Sequence, residues 1–374
     1  MMPIREPVSR SFKTMLQQLA FASRFALRLL RPIRPRSRNR WFLPQADIYD
    51  LLLGPYATQL LYVAAALSIA DRLDDTARST DELAAECSCR PRELYRVLRA
   101  LAGLGVFREL PGRRFANNRA SAYLRTDTPG SLRDAAIYMG CEWHWAPMGR
   151  LIDRVRDGQP SFVHAHGARF YDYLATHPEA STVFNASMTA FSVQSHSLAA
   201  RAYGFPGVSV LVDIGGGHGA LMESILADQV DMRGIIFDLP HVVAGATMRL
   251  HHSDLVTRAS VVGGSFLEAI PPGGDGYMLS MILPDYEDAD VLKIFSNVRK
   301  VIPRTGKLIV LDMLISDSNR PSYAALGDVE LLVNTYGHMR TTEEFADLFA
   351  ASGFRLHRVV SSVAPVSVLE AVPA

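Results

Sequence analysis

The nine residues Leu211-Val212-Asp213-Ile214-Gly215-Gly216-Gly217-His218-Gly219 limit what this chain can fold into more than any other stretch. An apolar run, Val208 to Val212, delivers the chain to an acid and then to four glycines in five positions. Ala220, Leu221, Ile225 and Leu226 follow at helical spacing. The reading is strand, tight turn, helix. Glycine is needed where backbone bends sharply and a ligand must approach it without a Cβ in the way. The helix start beyond it offers unpaired N–H groups. Such a turn holds a nucleotide-like cofactor.

From residue 206 onward the pattern is strand–helix alternation. Strands are expected near 208–214, 233–238, 258–263, 276–282, 306–313, 355–361 and 366–372. Helical stretches separate the first five, which predicts parallel crossovers. Only Val363-Ala364-Pro365 joins the last two, so they pair as an antiparallel hairpin. Upstream, residues 46–135 read as helix, turn, helix and wing. The helix Glu93 to Leu104 places Leu94, Val97, Leu98, Leu101 and Leu104 at helical spacing, and Pro111-Gly112 turns a short hairpin between Phe107 and Phe115. A winged helix commonly binds DNA. Arg92, Arg96 and Arg99 suit that role, but Glu82, Glu86 and Glu93 sit among them and the segment is not strongly basic. No nucleic-acid partner is therefore expected.

The 374 residues suffice for two domains with a large core. The net charge of +1 conceals an N-terminal arm, residues 1–40, with ten Lys or Arg against one acid. Within it residues 12–31 pattern as a basic amphipathic helix, a type that lies on anionic membranes, and residues 32–40 read as a linker. Peripheral membrane contact is one expectation for this arm, and a solvated or subunit-packing helix the other. No apolar run is long enough for a membrane span. Three cysteines make no even disulfide framework and point to a reducing compartment, the cytoplasm. No His or Cys spacing suits a metal. Trp143, His144 and Trp145, followed by Phe162, Phe170, Tyr171, Tyr173, Phe184 and Phe191, form an aromatic segment whose residues are core or the wall of a pocket for a planar, hydrophobic small molecule.

Gly215, Gly217 and Ala220 also satisfy the dinucleotide fingerprint, and Asp238 ends the second strand where an acid meets ribose hydroxyls. Those residues alone leave NAD and S-adenosylmethionine (SAM) both open. Asp213, placed to support the cationic amino-acid part of SAM, and the terminal hairpin favour SAM. The strings VDIGGGHG, IIFDLPHVV, FNASM and RTTEEFADLFAASGF then resemble the plant-type and bacterial small-molecule O-methyltransferases, over roughly residues 46–372. The resemblance implies an α/β fold: a seven-stranded doubly wound class I SAM-methyltransferase sheet with its last strand antiparallel, over residues 136–374, preceded by a winged-helix dimerisation domain over residues 46–135. It implies a homodimer. It also implies that Gly215 and Gly217 pass close to SAM, that Asp238 binds its ribose, and that Ser265, where the family usually has an acid, and Phe266 lie at the adenine.

The family pattern then breaks. Its general base is the His of a Leu-His-Asp-Trp motif, and here the text is Leu283-Pro284-Asp285-Tyr286. Pro284 accepts no proton. One supporting acid of the family matches Asp312, the other falls at Met339, and a Lys that often precedes the motif is Ser280. Four chemistries stay open: O-methylation with a relocated base, for which His338 and His144 are candidates beside Asp312; C-methylation of a pigment-like acceptor assisted by Tyr286 or Asp285; a SAM-retaining hydroxylase, decarboxylase or cyclase; and a non-catalytic dimeric binding protein. A nucleotide-dependent oxidoreductase is the remaining alternative.

Overall fold

The computed structural model describes residues 44–191, 195–251, 257–316 and 322–374. The basic arm of residues 1–40, and any membrane contact through it, lie outside these residues. Among the described residues no helix is long and apolar enough to cross a membrane.

Two helices, Pro44–Leu52 and Gly54–Ala66, open the described chain. Strand β1 (Arg78–Ser79) leads into the helix Thr80–Glu86, which starts on a capping box. Ser79 accepts from the Glu82 amide, and the Glu82 carboxylate accepts from the Ser79 amide. The helix Pro91–Gly103 begins with proline in its first turn, where a missing N–H costs nothing. Its Leu94, Leu98 and Leu101 bury against Leu83, Phe107 and Phe115. Strands β2 (Arg108–Leu110) and β3 (Arg114–Ala116) form the wing, ordered β1-β3-β2. The turn between them places Gly112 and Arg113 at positive φ. The helix–turn–helix–wing pattern thus folds as its sequence reads. The first two helices turn Tyr49, Leu52 and Tyr56 outward at 62%, 67% and 67% exposure.

The second unit is one seven-stranded sheet: β4 (Val210–Ile214), β5 (Arg233–Asp238), β6 (Ala259–Gly263), β7 (Gly276–Ser280), β8 (Lys307–Met313), β9 (Phe354–Val360) and β10 (Val366–Pro373), ordered β6-β5-β4-β7-β8-β10-β9. The first five are parallel, and β10 runs antiparallel to both neighbours. β7 ends at Ser280, two residues short of the sequence expectation, because Met281 takes a positive φ of 53°. Both faces are covered, so the central strands β4, β7 and β8 are buried along almost their whole length. Helices Ala220–Asp228 and Pro240–His251 bury Leu221, Met222, Ile225, Ala246 and Leu250 on one face. Helices Asp288–Val301 and Thr342–Ala351 bury Val291, Ile294, Phe295, Phe345 and Phe349 on the other. Each such buried side chain contributes about 1.5–3 kcal/mol of transfer free energy. β4 and β7 are neighbours, so the glycine turn and the turn carrying Pro284 leave the same edge of the sheet side by side.

Candidate active site

The glycine turn is built to bend and to be covered. Gly215, Gly217 and Gly219 adopt positive φ of 73°, 57° and 77°. A Cβ at Gly215 would strike Ile282, so the turn touches the Pro284 turn directly. Beneath it, Asp213 is 2% exposed and its Oδ2 is buried with no hydrogen-bond partner. Burial, together with the charge of Asp238, pushes its carboxyl up to about 7. An orphaned buried carboxylate oxygen asks for a cation. Asp238 stands at the end of β5. Its Oδ2 accepts from the Gly217 amide at 2.8 Å and its Oδ1 from the Leu239 amide at 2.7 Å. A carboxylate has about four acceptor positions, so it retains capacity for a ribose diol. Burial holds this carboxyl above its ordinary value. Ser265 follows β6, and the Phe266 ring meets Tyr286 edge-on at 5.5 Å. The cofactor side and the motif turn are therefore in contact at two places.

The Pro284 turn is a short 3-10 segment, Leu283–Asp285, with Leu283 and Pro284 buried. Arg340, 1% exposed, fixes it by donating to the carbonyls of Leu283 at 3.0 Å and Tyr286 at 2.8 Å and to Asp288. Gly337 packs on the same turn where a Cβ would collide with the Pro284 carbonyl. Asp285 accepts from the Tyr171 hydroxyl at 2.6 Å. Its carboxyl is pushed up to about 6 by burial, with Glu330 adding to the rise and the Tyr171 bond opposing it. Tyr171 is 44% exposed, yet burial and the Asp285 charge hold its hydroxyl well above the ordinary range.

Near Asp285 lies a second set of residues, of which the sequence named one. His144 is 1% exposed, and its Nε2 lies 2.5 Å from Glu330 Oε1. Glu330 also accepts from Asn334 Nδ2 at 2.8 Å and the Tyr138 hydroxyl at 3.2 Å. Burial raises Glu330, but these bonds, led by that of His144, outweigh it and keep the carboxyl below its usual value. His144 Nδ1 and Asn334 Oδ1 are buried without partners. The aromatic expectation divides. Trp143, Phe162, Phe170, Tyr173 and Phe184 pack on one another as core, while Tyr138, edge-on to Phe184 at 5.8 Å, and Tyr171 carry the polar lining.

The other sequence candidates fall as follows. Asp312, 1% exposed at the end of β8, accepts from the Met313 amide at 2.7 Å. Burial pushes its carboxyl up to about 8, with Asp285 adding to the rise and Arg340 opposing it. His338 is outside the hydrogen-bonded set: its imidazole is 43% exposed and faces Asp288 at 3.7 Å. Met339 is buried, and a Cβ on Gly327 would meet both it and Met313, so the helix Tyr323–Asn334 that bears Glu330 packs beside it. Ser280 pairs with His196 Nδ1 at 3.2 Å, and burial drives that imidazole down to about 4. Sequence reasoning missed Glu330, Asn334, Tyr138 and His196. The signal for Glu330 was an isolated acid in the otherwise apolar run VELLV.

The doubly wound sheet with its reversed strand, the glycine turn, and carboxylates at the ends of β4 and β5 define a class I SAM-dependent methyltransferase. The comparisons name the family. The O-methyltransferase domain model matches residues 148–355 and the O-methyltransferase dimerisation domain residues 49–127. The phenazine O-methyltransferase of Lysobacter antibioticus is 37% identical over 87% of this chain and 95% of its own length. The mitomycin biosynthesis 6-O-methyltransferase of Streptomyces lavendulae is 33% identical over 87% and 94%. Among solved structures, a methyltransferase of calicheamicin biosynthesis with S-adenosylhomocysteine bound superposes at TM-score 0.79, with 31% identity over 88% of this chain and 98% of that one. The chain belongs to the O-methyltransferase family, uses SAM, and carries that family's dimerisation domain.

Proposed function

We propose that this protein, as a homodimer, transfers the methyl group of SAM to a hydroxyl on a planar aromatic small molecule of the secondary-metabolite type. The observation that carries the reading is the polar cluster beside the Pro284 turn, in which Tyr138 bonds Glu330 and Tyr171 bonds Asp285 against a packed aromatic core. Bound SAM supplies an electrophilic methyl on a sulfonium centre. Asp213 would face its ammonium, Asp238 its ribose, and Ser265 and Phe266 its adenine. Asp312, protonated at neutral pH, is a donor toward an acceptor oxygen. Positioning by the tyrosines and exclusion of water supply much of the acceleration, and a base removes the hydroxyl proton. A phenazine O-methyltransferase, a mitomycin biosynthesis 6-O-methyltransferase and an O-demethylpuromycin-O-methyltransferase among the relatives support a secondary-metabolite acceptor.

Pro284 favours a second reading, a nitrogen acceptor. A neutral amine attacks before it loses its proton and needs no base at the motif position. A phenazine-1-carboxylate N-methyltransferase of Pseudomonas aeruginosa is 32% identical over 84% of this chain. A panel of hydroxyarenes and aminoarenes incubated with the purified protein and SAM tests both. Methyl ethers are the expected products. Turnover confined to amines transfers the function to the second reading, and SAM binding with no product from either class overturns both.

A further inference from the structure

We propose that His144 takes the acceptor's hydroxyl proton at Nδ1 and that Glu330 is the residue that positions it. This rests on the reading that the acceptor is a hydroxyl. An ionised carboxylate only accepts hydrogen bonds, so the 2.5 Å contact puts a hydrogen on His144 Nε2, and in the neutral imidazole Nδ1 is then a lone pair. That lone pair is buried and unpartnered, so a ligand hydroxyl is the donor it lacks. Glu330 is itself held by Tyr138 and Asn334, which leaves the imidazole one orientation. The titratable groups around it are Tyr138 and Cys141 from its own segment, Glu330 from the facing helix and, beyond Glu330, Asp285 with Tyr171.

In the step, the hydroxyl proton passes to Nδ1 as the oxygen lone pair bonds the methyl carbon. The carbon–sulfur bond breaks with its electron pair going to sulfur, which yields S-adenosylhomocysteine. The imidazolium is stabilised by the Glu330 carboxylate until it releases the proton to water. The geometry is that of a base oriented by a carboxylate, carried here by residues 144 and 330 instead of the motif position.

The test has an arm that needs no acceptor. Full-length protein labelled with nitrogen-15 in its histidines gives the tautomer of His144 by nuclear magnetic resonance, assigned by its loss in His144→Gln. The expected state is Nε2–H with a bare Nδ1. Glu330→Gln is expected to mix the tautomers, since the amide can either accept from Nε2 or donate to it. A hydrogen on Nδ1 in the wild type overturns the proposal. In the second arm, with a hydroxyl acceptor, His144→Gln lowers kcat by about 100- to 10,000-fold at unchanged SAM affinity. Glu330→Gln lowers kcat with KM little changed, and Glu330→Asp restores part of kcat. A His144→Gln rate within twofold of wild type also overturns the proposal. Failure to turn over any hydroxyl acceptor instead defeats the reading beneath it, while the tautomer still reports on the pair.

Discussion

At the scale of single residues, Asp213 makes the sharpest claim. Its carboxyl sits at about 7 in the folded protein, above the ordinary value of about 3.9. The folded state therefore holds a proton that the unfolded state releases. The stability this contributes is complete below about pH 4 and is lost as the pH rises through about 7. A cation reverses the preference, because it binds the ionised form. SAM affinity, measured by calorimetry, is expected to weaken about tenfold between pH 8 and pH 6. Asp213→Asn is expected to weaken it about 10- to 100-fold and to abolish the pH dependence, the loss of one charged hydrogen bond. An unchanged affinity would remove Asp213 from the cofactor site. Arg340 makes a different claim. It is buried, and it donates to the exposed Asp288 and to three backbone carbonyls of the motif turn and its own loop. Arg340→Ala is expected to destabilise by about 1–3 kcal/mol, the cost of leaving buried carbonyls without a donor, read by urea denaturation.

At the scale of elements, caps and turns were readable because their chemistry is local. The helix Thr342–Ala351 begins on Thr341 with both arms of a capping box in place, and RTTEEF announces it. Thr341→Ala is expected to cost about 1 kcal/mol in urea denaturation, with SAM affinity unchanged. Gly215 is local in sequence but not in consequence. Its φ of 73° and its contact with Ile282 tie the cofactor turn to the motif turn. Gly215→Ala is expected to reduce both SAM affinity and methyl transfer, while a change in stability alone would separate the two turns. The partner of His144 was not legible. Glu330 lies 186 residues downstream, and no local rule joins a helix residue near 144 to one near 330. The same holds for Tyr171 and Asp285. Spacing pointed to the proposed cofactor residues because they lie at the ends of adjacent strands of one sheet, whereas the proposed acceptor residues come from helices distant in sequence.

At the scale of the whole molecule, the fold was legible in the rhythm of strands and the short terminal hairpin, and the seven strands stand where that rhythm placed them within a few residues. The domain that precedes them exposes Tyr49, Leu52 and Tyr56, inside the segment matched by the dimerisation domain. Exposed aromatic and leucine side chains on adjoining helices are the kind a stable interface covers. Leu52→Asp with Tyr56→Asp is expected to yield monomers by light scattering, and a persistent dimer would place the interface elsewhere. The central claim is that the cofactor held at the glycine turn gives its methyl group to a hydroxyl beside the Pro284 turn. The most direct measurement supplies SAM with a deuterated methyl group, adds a hydroxyarene acceptor, and follows the label by mass spectrometry. The prediction is one labelled methyl ether for each S-adenosylhomocysteine formed. SAM that binds and stays intact, or S-adenosylhomocysteine formed without label on the acceptor, would contradict it.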